Sequence, residues 1–174
     1  MTTIVIPTVT TPRLCLRAPR FSDFDAYAEF RCSDRAKMLG GPFTRTQAFD
    51  QLAEIIGHWH LRGYGRWLVA DNTTDEPLGI VGLYFPHDWP EPEIAWSVFA
   101  RGEGRGIAAE AAKTSRNYAY ETLGWSTAIS LIDPENTRSI KLAQRLGATY
   151  DKIYKHPDMG DMHIWRHPAP EDLT

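Results

Sequence analysis

The sequence predicts an α+β fold in which a central, mostly antiparallel and twisted sheet carries helices on both faces. Three consecutive apolar runs, at residues 67–70, 77–85 and 93–99, are separated by short polar loops, which is the pattern of an antiparallel meander. A glycine-rich turn then leads into an Ala-rich helical segment, and an apolar run follows at 127–132. Because a helical crossover returns the chain in the same direction, this last strand should lie parallel to the strand before the helix.

The elements before the meander are a strand and two helices. Alternating apolar residues predict the first strand over residues 12–17. Residues 22–31 predict a first helix, since a serine and an aspartate at its start are typical of a helix N-terminus. Thr44 and Gln47 form a capping box that begins a second helix, which we expect to end near residue 61 where glycines follow.

Helices and strands alternate after the meander. We expect the central helix at about residues 104–123, because a glycine follows at 124 and is typical of a helix end. A short helix over 136–146 follows the strand at 127–132, and strands near 149–155 and 162–166 complete the chain. No internal repeat or linker interrupts this order, so we expect a single domain over residues 1–174.

Composition and charge exclude several classes of protein. The 174 residues are 43% hydrophobic and 24% charged, which is ordinary for a globular domain with a core. A net charge of −3 argues against general binding to nucleic acid or to an anionic membrane. Cys15 and Cys32 lie too far apart for a redox or ligand motif, and the first residues lack the features of a signal peptide. We therefore expect a cytoplasmic protein with neither nucleic acid nor membrane as a partner.

The glycine-rich turn at residues 102–106 predicts a phosphate site. Glycines let backbone amides approach an oxygen closely, and the N-terminus of a helix adds unpaired donors and the positive end of its dipole. The spacing is not that of a dinucleotide-binding loop, because the third glycine position falls on Ile107, and the chain has no Gly-Lys pair for a Walker loop. The alternative is that the glycines only allow the chain to turn and that the turn binds no phosphate.

The unit Arg101-x-x-Gly104-x-Gly106 resembles the acyl-CoA pyrophosphate loop of the GCN5-related N-acetyltransferases, the GNAT superfamily. The order of predicted elements resembles that fold over essentially the whole chain, with a parallel strand pair splayed around the acyl-CoA site. The resemblance implies acetyl-CoA as co-substrate, its pyrophosphate held by loop amides and its pantetheine paired with the end of the third meander strand. The residues that it assigns to coenzyme binding are Val98, Phe99, Arg101, Gly104, Arg105, Gly106, Ile107 and Ala108. A main-chain N–H near Val98 and Phe99 would also polarise the thioester carbonyl.

A second motif lies one strand–helix unit further along, at Asn136-x-x-Ser139-x-x-Leu142-x-x-x-Leu146-Gly147. From the residues alone, Asn136 can cap a helix or offer its amide to an amide-bearing ligand, and Ser139 faces the same side. The motif resembles the C-terminal signature of the RimJ/RimL-like ribosomal-protein N-acetyltransferases, which implies that Asn136 and Ser139 belong to the coenzyme site. A capped surface helix is the alternative.

Acyl transfer needs a group that protonates the leaving thiolate and a base for the amine. Many superfamily members carry a tyrosine acid seven residues after the asparagine, where this chain has Ala143. The resemblance to the RimL-like branch implies Ser139 as the acid, with water as the alternative. Glu93, on the strand that leads into the glycine-rich turn, is the first candidate base. The other candidates are Glu91, Asp88 and His87 in the preceding turn, and Asp158 or Asp161 by resemblance to RimL-like relatives, with a solvated carboxylate as the alternative for each.

These features predict an enzyme that transfers an acetyl group from acetyl-CoA to a primary amine by direct attack in a ternary complex. A protein N-terminal α-amine is expected ahead of a lysine, since its pKa of about 7.7–8.0 demands a weaker base than one of about 10.4. Aromatic and acidic residues at 85–93, together with Trp59 and Tyr64, would suit a cationic acceptor. A non-catalytic acyl-CoA-binding module is the main alternative. A dinucleotide-binding module is a weaker one, because neither the glycine spacing nor the meander suits it.

Metal chemistry is not predicted. His58 and His60 are two residues apart on a predicted helix and so do not share a face, and His163 and His167 are isolated. The chain has neither a His-Glu-x-x-His pattern nor paired cysteines. For the same reason we expect no tight pairing of a histidine with an acid. The sequence leaves open the identity of the acceptor amine, the preferred acyl chain, the choice of base and whether the chain forms a homodimer.

Overall fold

The computed structural model describes residues 5–173, which form an eight-stranded sheet. Its strands in chain order are β1 (Val9–Thr10), β2 (Leu14–Arg17), β3 (Arg66–Asp71), β4 (Pro77–Tyr84), β5 (Glu93–Val98), β6 (Ile129–Ile132), β7 (Thr149–His156) and β8 (Gly160–Arg166). In the sheet they follow the order β1–β2–β3–β4–β5–β6–β8–β7. The pairing of β5 with β6 is parallel and the other pairings are antiparallel, so the predicted α+β fold is confirmed.

Four α-helices connect the strands. They are α1 (Phe24–Arg31), α2 (Arg45–Arg62), α3 (Ile107–Asn117) and α4 (Thr137–Arg145). The predicted capping box is confirmed, since Thr44 and Gln47 exchange side-chain to backbone hydrogen bonds at the start of α2. A π-helical turn, Tyr118–Thr122, extends α3. None of the helices in the described part of the chain has the length and apolarity needed to cross a bilayer.

The central helix begins three residues later than expected. Gly104 and Gly106 have φ angles of +69° and +73°, which belong to the left-handed region, so neither residue continues a right-handed helix. The helix therefore starts at Ile107, and the residues before it form a turn. The first helix also starts late, at Phe24, after a short 3₁₀ turn at Phe21–Asp23. The two-residue strand β1 is too short to show a period and was not predicted.

The strands in the middle of the sheet are buried on both faces. In β4 the six consecutive residues 78–83 are all buried, and in β3 the four residues 67–70 are buried too. Successive side chains in a strand point to opposite faces, so a continuous buried run requires cover on both sides. The helices on the two faces supply that cover, as the sequence predicted.

The parallel strands β5 and β6 separate almost at once. Among the described residues they pair at Glu93 and Ile129 alone. Beyond that pair, side chains replace the backbone ladder: the Ser130 hydroxyl donates to the Ile94 carbonyl at 2.7 Å, and the Leu131 amide donates to Glu93 Oε2 at 2.8 Å. The predicted splayed pair is confirmed, and it leaves a gap along the C-terminal part of β5.

Candidate active site

An open cleft of about 680 Å³ lies along the part of β5 that has no neighbouring strand. Its walls come from the 3₁₀ segment Asp34–Leu39, the end of β5, the glycine-rich turn with the start of α3, and α4. The sequence-predicted residues that line it are Val98, Gly104, Gly106, Ile107, Ala108, Asn136 and Ser139. The two sequence motifs therefore meet on one surface, although they are about thirty residues apart in the chain.

The glycine-rich turn presents a run of unpaired backbone amides. The Gly102 and Glu103 amides donate to the carbonyls of Phe99 and Ala100, and the Glu110 amide donates to the Gly106 carbonyl. Among the described backbone hydrogen bonds none is donated by the amides of residues 104–108 between them. Amides that converge ahead of a helix N-terminus form a site for an anion.

Arginines brace this turn from outside the cleft. Arg13 donates to the Arg105 carbonyl at 2.9 Å and to Glu110 at 2.8 Å. The Arg105 side chain is directed at Asp71, 3.6 Å away, and Arg101 is paired with Glu76. Neither side chain lines the cleft, so the structure does not bring the Arg101 and Arg105 side chains to the other predicted coenzyme residues.

The free edge of β5 is formed by Trp96 and Val98 rather than by Phe99. The Phe99 amide donates to Leu78 next to β4, whereas the Ile94 carbonyl faces β6. Because backbone groups alternate between the two sides of a strand, those of Trp96 and Val98 point into the gap. The Phe99 ring is buried against Tyr27 and Phe30. The structure therefore does not bring Phe99 to the cleft, and it adds Trp96.

Ser139 has a hydroxyl that is free to donate. Its oxygen accepts a hydrogen bond from the Trp96 indole at 3.2 Å, and in the part of the chain that the structure describes its own proton has no acceptor. The Asn136 side-chain oxygen accepts from the Ser139 amide at 3.1 Å and caps α4, so the capping role of Asn136 is the one observed. Trp96 could have been found from sequence, since it shares a strand face with Val98.

Glu93 lies at the other end of β5 and is almost completely buried. Its carboxylate accepts from the Trp89 indole and from the Leu131 amide, each at 2.8 Å. Burial raises the pKa of Glu93 from 4.5 to about 7, although both hydrogen bonds act in the opposite direction. A carboxylate with this pKa is partly ionised at neutral pH and is suited to accept a proton. Glu93 and Trp96 are three residue steps apart along the strand, which is roughly 10 Å.

The other candidate bases have different environments. Arg166 donates two hydrogen bonds to Glu91, at 2.8 and 2.9 Å, and this pairing lowers the pKa of Glu91 and weakens it as a base. His87, Asp158 and Asp161 are exposed.

The expectation of no close histidine–acid pair was wrong. His156 Nε2 lies 3.0 Å from Asp88 Oδ2, because the β7–β8 hairpin packs against the turn before β5. With Asp158 these two residues form a group whose potential ligand atoms lie within 4.8 Å of one another. However, His156 Nδ1 accepts from the Asp158 and Met159 amides, which leaves the ring proton on Nε2 facing Asp88. A metal-bound Nε2 would need the opposite tautomer, so these hydrogen bonds oppose metal binding.

The sequence predicted that aromatic residues near Glu93 form a wall for a cationic acceptor, but the structure leaves little of that wall free. The guanidinium of Arg62 lies 4.4 Å from the Phe85 ring centre, and that of Arg66 lies 4.0 Å from the Tyr84 ring centre. Trp59 is buried and donates its indole N–H to the Arg66 carbonyl. The protein's own cations therefore already lie over the Phe85 and Tyr84 rings. Tyr64 and Trp89 pack against the Trp125 and Tyr84 rings instead.

Arginines that the sequence did not single out line the cleft instead. Arg35 and Arg138 face it from opposite walls, and both contact Glu103 of the glycine-rich turn. Arg145, on α4, is the third. Arg138 lies between the two named residues of the Asn136-x-x-Ser139 motif, so the motif itself was a signal for its position, whereas Arg35 had none.

The comparisons with known proteins identify the family. The model for the acetyltransferase (GNAT) domain matches residues 13–149. That range contains both motifs and most of the cleft. The chain belongs to the GNAT acetyltransferase family.

Similar proteins agree with this assignment. An acetyltransferase from Agrobacterium tumefaciens str. C58 is 34% identical in sequence, and its crystal structure gives a TM-score of 0.86 over 96% of this chain and 97% of that chain. An uncharacterized N-acetyltransferase, p20 of Bacillus licheniformis, is 27% identical over 143 residues, which are 80% of each protein. RimL, a ribosomal L7/L12 α-N-protein acetyltransferase in complex with coenzyme A, is 16% identical and has the same fold, with a TM-score of 0.76 over 95% of this chain and 100% of that chain.

The buried carboxyl of Glu93 makes stability depend on pH in a defined direction. Because its pKa is raised in the folded protein, its contribution is fully present below about pH 4.5 and is lost as the pH rises through about 7. We therefore expect Glu93→Gln to gain roughly 2–3 kcal/mol relative to the wild type between pH 5 and pH 8. Urea unfolding of both proteins at several pH values measures this difference, in which the ionisations common to both cancel. A difference that does not change with pH would show that the carboxyl ionises normally.

Proposed function

We propose that the protein transfers an acetyl group from acetyl-CoA to a primary amine by direct attack within a ternary complex. The observation that carries this proposal is the cleft, because one wall presents the unpaired amides of residues 104–108 and the other presents the uncommitted hydroxyl of Ser139. The acceptor is either a protein N-terminal α-amine or a small-molecule amine. A cytoplasmic location is part of the proposal, in line with the free cysteines Cys15 and Cys32.

In the proposed complex the coenzyme lies along the free edge of β5. The amides from Gly104 to Ala108 hold the pyrophosphate. The backbone groups of Trp96 and Val98 pair with the amides of the pantetheine arm as a neighbouring strand would. A main-chain N–H on this free edge then polarises the thioester carbonyl and stabilises the charge that develops on its oxygen. The presence of coenzyme A in the RimL structure of the same fold supports coenzyme A as the ligand.

The proposed reaction needs two proton transfers. The neutral amine nitrogen attacks the thioester carbonyl carbon, a C–N bond forms, and the C–S bond breaks. Ser139 donates its hydroxyl proton to the departing thiolate and recovers one from solvent, or water takes its place. Glu93 accepts the proton that the amine nitrogen loses, directly or through water. The products are the acetylated amine and the free thiol, so no oxidant or further reactant is needed.

The properties of Glu93 favour a weakly basic acceptor. The pKa of Glu93, about 7, is close to the pKa of an α-amine, about 7.7–8.0. It is more than three units below the pKa of a lysine side chain, about 10.4. Presenting a neutral lysine at pH 7.5 would cost about 4 kcal/mol. The cations Arg62 and Arg66 over the neighbouring rings also disfavour an acceptor that arrives charged. We therefore place the protein N-terminal α-amine ahead of a lysine side chain.

A thiol-release assay tests the proposal and separates it from the non-catalytic alternative. N-terminal peptides, polyamines, aminoglycosides and amino acids are each offered with acetyl-CoA, and free thiol and acetylated product are measured. Release that depends on the amine is expected. Coenzyme binding without amine-dependent release across the whole panel would favour a binding module.

With an accepted amine, Ser139→Ala should lower kcat more than it changes the KM for acetyl-CoA, because the lost proton donation matters when the C–S bond breaks. The retained Trp96 indole keeps the wall of the cleft in place, so the variant should fold like the wild type. An unchanged kcat under conditions in which chemistry limits the rate would assign Ser139 to coenzyme contact or to structure.

Gly106→Val should abolish coenzyme A binding by altering the turn. Valine is strained at a φ of +73°, by about 1–2 kcal/mol, and would displace the amides ahead of α3. Gly124→Val is the matched control, since Gly124 has a φ of +72° and lies at the far end of the helix. A Cβ at Gly124 would meet open space, and one at Gly106 would meet the end of the Arg13 side chain at an ordinary contact distance of 3.5 Å. Calorimetry should show lost binding in the first variant and normal binding in the second. Normal binding by both would remove the phosphate assignment.

Glu93→Gln should lower kcat/KM by about 10- to 1000-fold at neutral pH and recover partly as the pH rises, because the missing base matters less once the amine is neutral. The wild-type profile should rise through about pH 7. Glu91→Gln is the comparison variant and should keep the wild-type shape, since Arg166 already holds that carboxylate ionised. Parallel profiles for the wild type and Glu93→Gln would make Glu93 a binding residue and favour Asp158 or Asp161 as the base.

A further inference from the structure

Two arginines from opposite walls of the cleft meet on one carboxylate oxygen. Arg138 Nη2 donates to Glu103 Oε1 at 2.8 Å, and Arg35 Nη1 contacts the same oxygen. We call this arrangement of Arg35, Glu103 and Arg138 the Glu103 bridge. It joins the 3₁₀ segment, the glycine-rich turn and the first turn of α4, all of which line the cleft.

The Glu103 bridge shows where the protein holds an anionic oxygen with two guanidinium groups. Guanidinium groups donate in a planar fork that suits carboxylates and phosphates alike. The side chains of Arg35 and Arg138 are 38% and 77% exposed, so a ligand in the cleft can reach both. Glu103 lies between two glycines, which lets its backbone adjust if the carboxylate moves away.

The charges of coenzyme A exceed what the turn amides can balance. Its pyrophosphate suits the amides of residues 104–108, but the ribose also carries a 3′-phosphate monoester with a charge of about −1.5 to −2 at pH 7. Arg101 and Arg105 are directed away from the cleft, towards Glu76 and Asp71. Among the described residues, the cations that line the cleft are Arg145 and the two arginines held by Glu103, and the acids Asp34 and Glu135 line it too.

We propose that Arg35 and Arg138 bind the ribose 3′-phosphate of the coenzyme, and that Glu103 holds them in the free protein and is displaced by that phosphate. The inference rests on the proposed function, since it concerns the same coenzyme. A phosphate brings more charge and three acceptor oxygens against the two of a carboxylate, so the exchange is favourable. The Glu103 bridge then selects the 3′-phosphorylated coenzyme over its dephosphorylated form.

Calorimetry with coenzyme A and with 3′-dephospho-coenzyme A tests this selection. The wild type should prefer coenzyme A by about tenfold or more, the value of one or two charge-assisted hydrogen bonds. Arg35→Gln and Arg138→Gln should each remove much of that preference and leave the affinity for the dephosphorylated form within about twofold. Glu103→Gln should bind coenzyme A more tightly than the wild type, because no internal carboxylate has to be displaced. Arg45→Gln is the control, since Arg45 is an exposed arginine paired with one carboxylate, Asp25, outside the cleft.

The outcomes separate the two proposals. Equal binding of both coenzyme forms by the wild type would overturn the role of the Glu103 bridge and leave the proposed function intact. The same applies if the arginine variants weaken both forms equally, which would mean that the arginines only hold the walls together, or if Glu103→Gln weakens coenzyme A binding. A wild type that binds neither form would overturn the proposed function together with this inference.

Discussion

The separation of β5 from β6 is the constraint on which the rest of the site depends. Two strands that part inside a sheet leave backbone groups unpaired, and buried unpaired groups are costly. The side chains of Ser130 and Glu93 reduce that cost by bonding across the gap, to the Ile94 carbonyl and the Leu131 amide. The carboxylate is thus buried because it substitutes for a strand, and its burial is what raises its pKa. The same departure from regular pairing opens the cleft and creates the candidate base.

A buried chain of hydrogen bonds fixes the position of Ser130 at this gap. Arg116 Nη1 lies 3.3 Å from His167 Nδ1, and His167 Nε2 lies 3.0 Å from the Ser130 hydroxyl. An arginine only donates hydrogen bonds, so His167 Nδ1 is the acceptor and Nε2 carries the ring proton. Nε2 donates to the Ser130 oxygen, and the Ser130 hydroxyl in turn donates to the Ile94 carbonyl. Burial, and then the charge of Arg116, lower the pKa of His167 to about 3, so the ring is neutral. The direction of every hydrogen bond in this chain is therefore fixed. Through it, Arg116 on α3 and His167 after β8 hold Ser130 in the position that keeps β5 and β6 apart.

The features that the sequence predicted well are those with a local cause. The apolar runs separated by short polar loops predicted the meander. The capping box predicted the start of α2, and the glycine spacing predicted the turn before α3. Residues whose roles depend on packing between distant segments could not be assigned in this way. Arg35 reaches the cleft only because its segment folds against the glycine-rich turn, and His156 meets Asp88 only through the β7–β8 hairpin. Phe99 is a different case, since the strand period itself places it on the side opposite Val98 and could have excluded it.

The net charge of the chain does not decide which ligands its cleft can hold. A net charge of −3 gives no general attraction for polyanions. At an ionic strength of 0.1 M, however, exposed charges more than about 10 Å apart are largely screened, so a ligand in the cleft responds mainly to the groups that line it. Those groups are amides with no backbone partner in the described hydrogen bonds, together with charged side chains that balance one another, namely Arg35, Arg138 and Arg145 against Asp34, Glu103 and Glu135. The proposed affinity for a phosphorylated ligand therefore depends on local donors and not on the net charge of the chain.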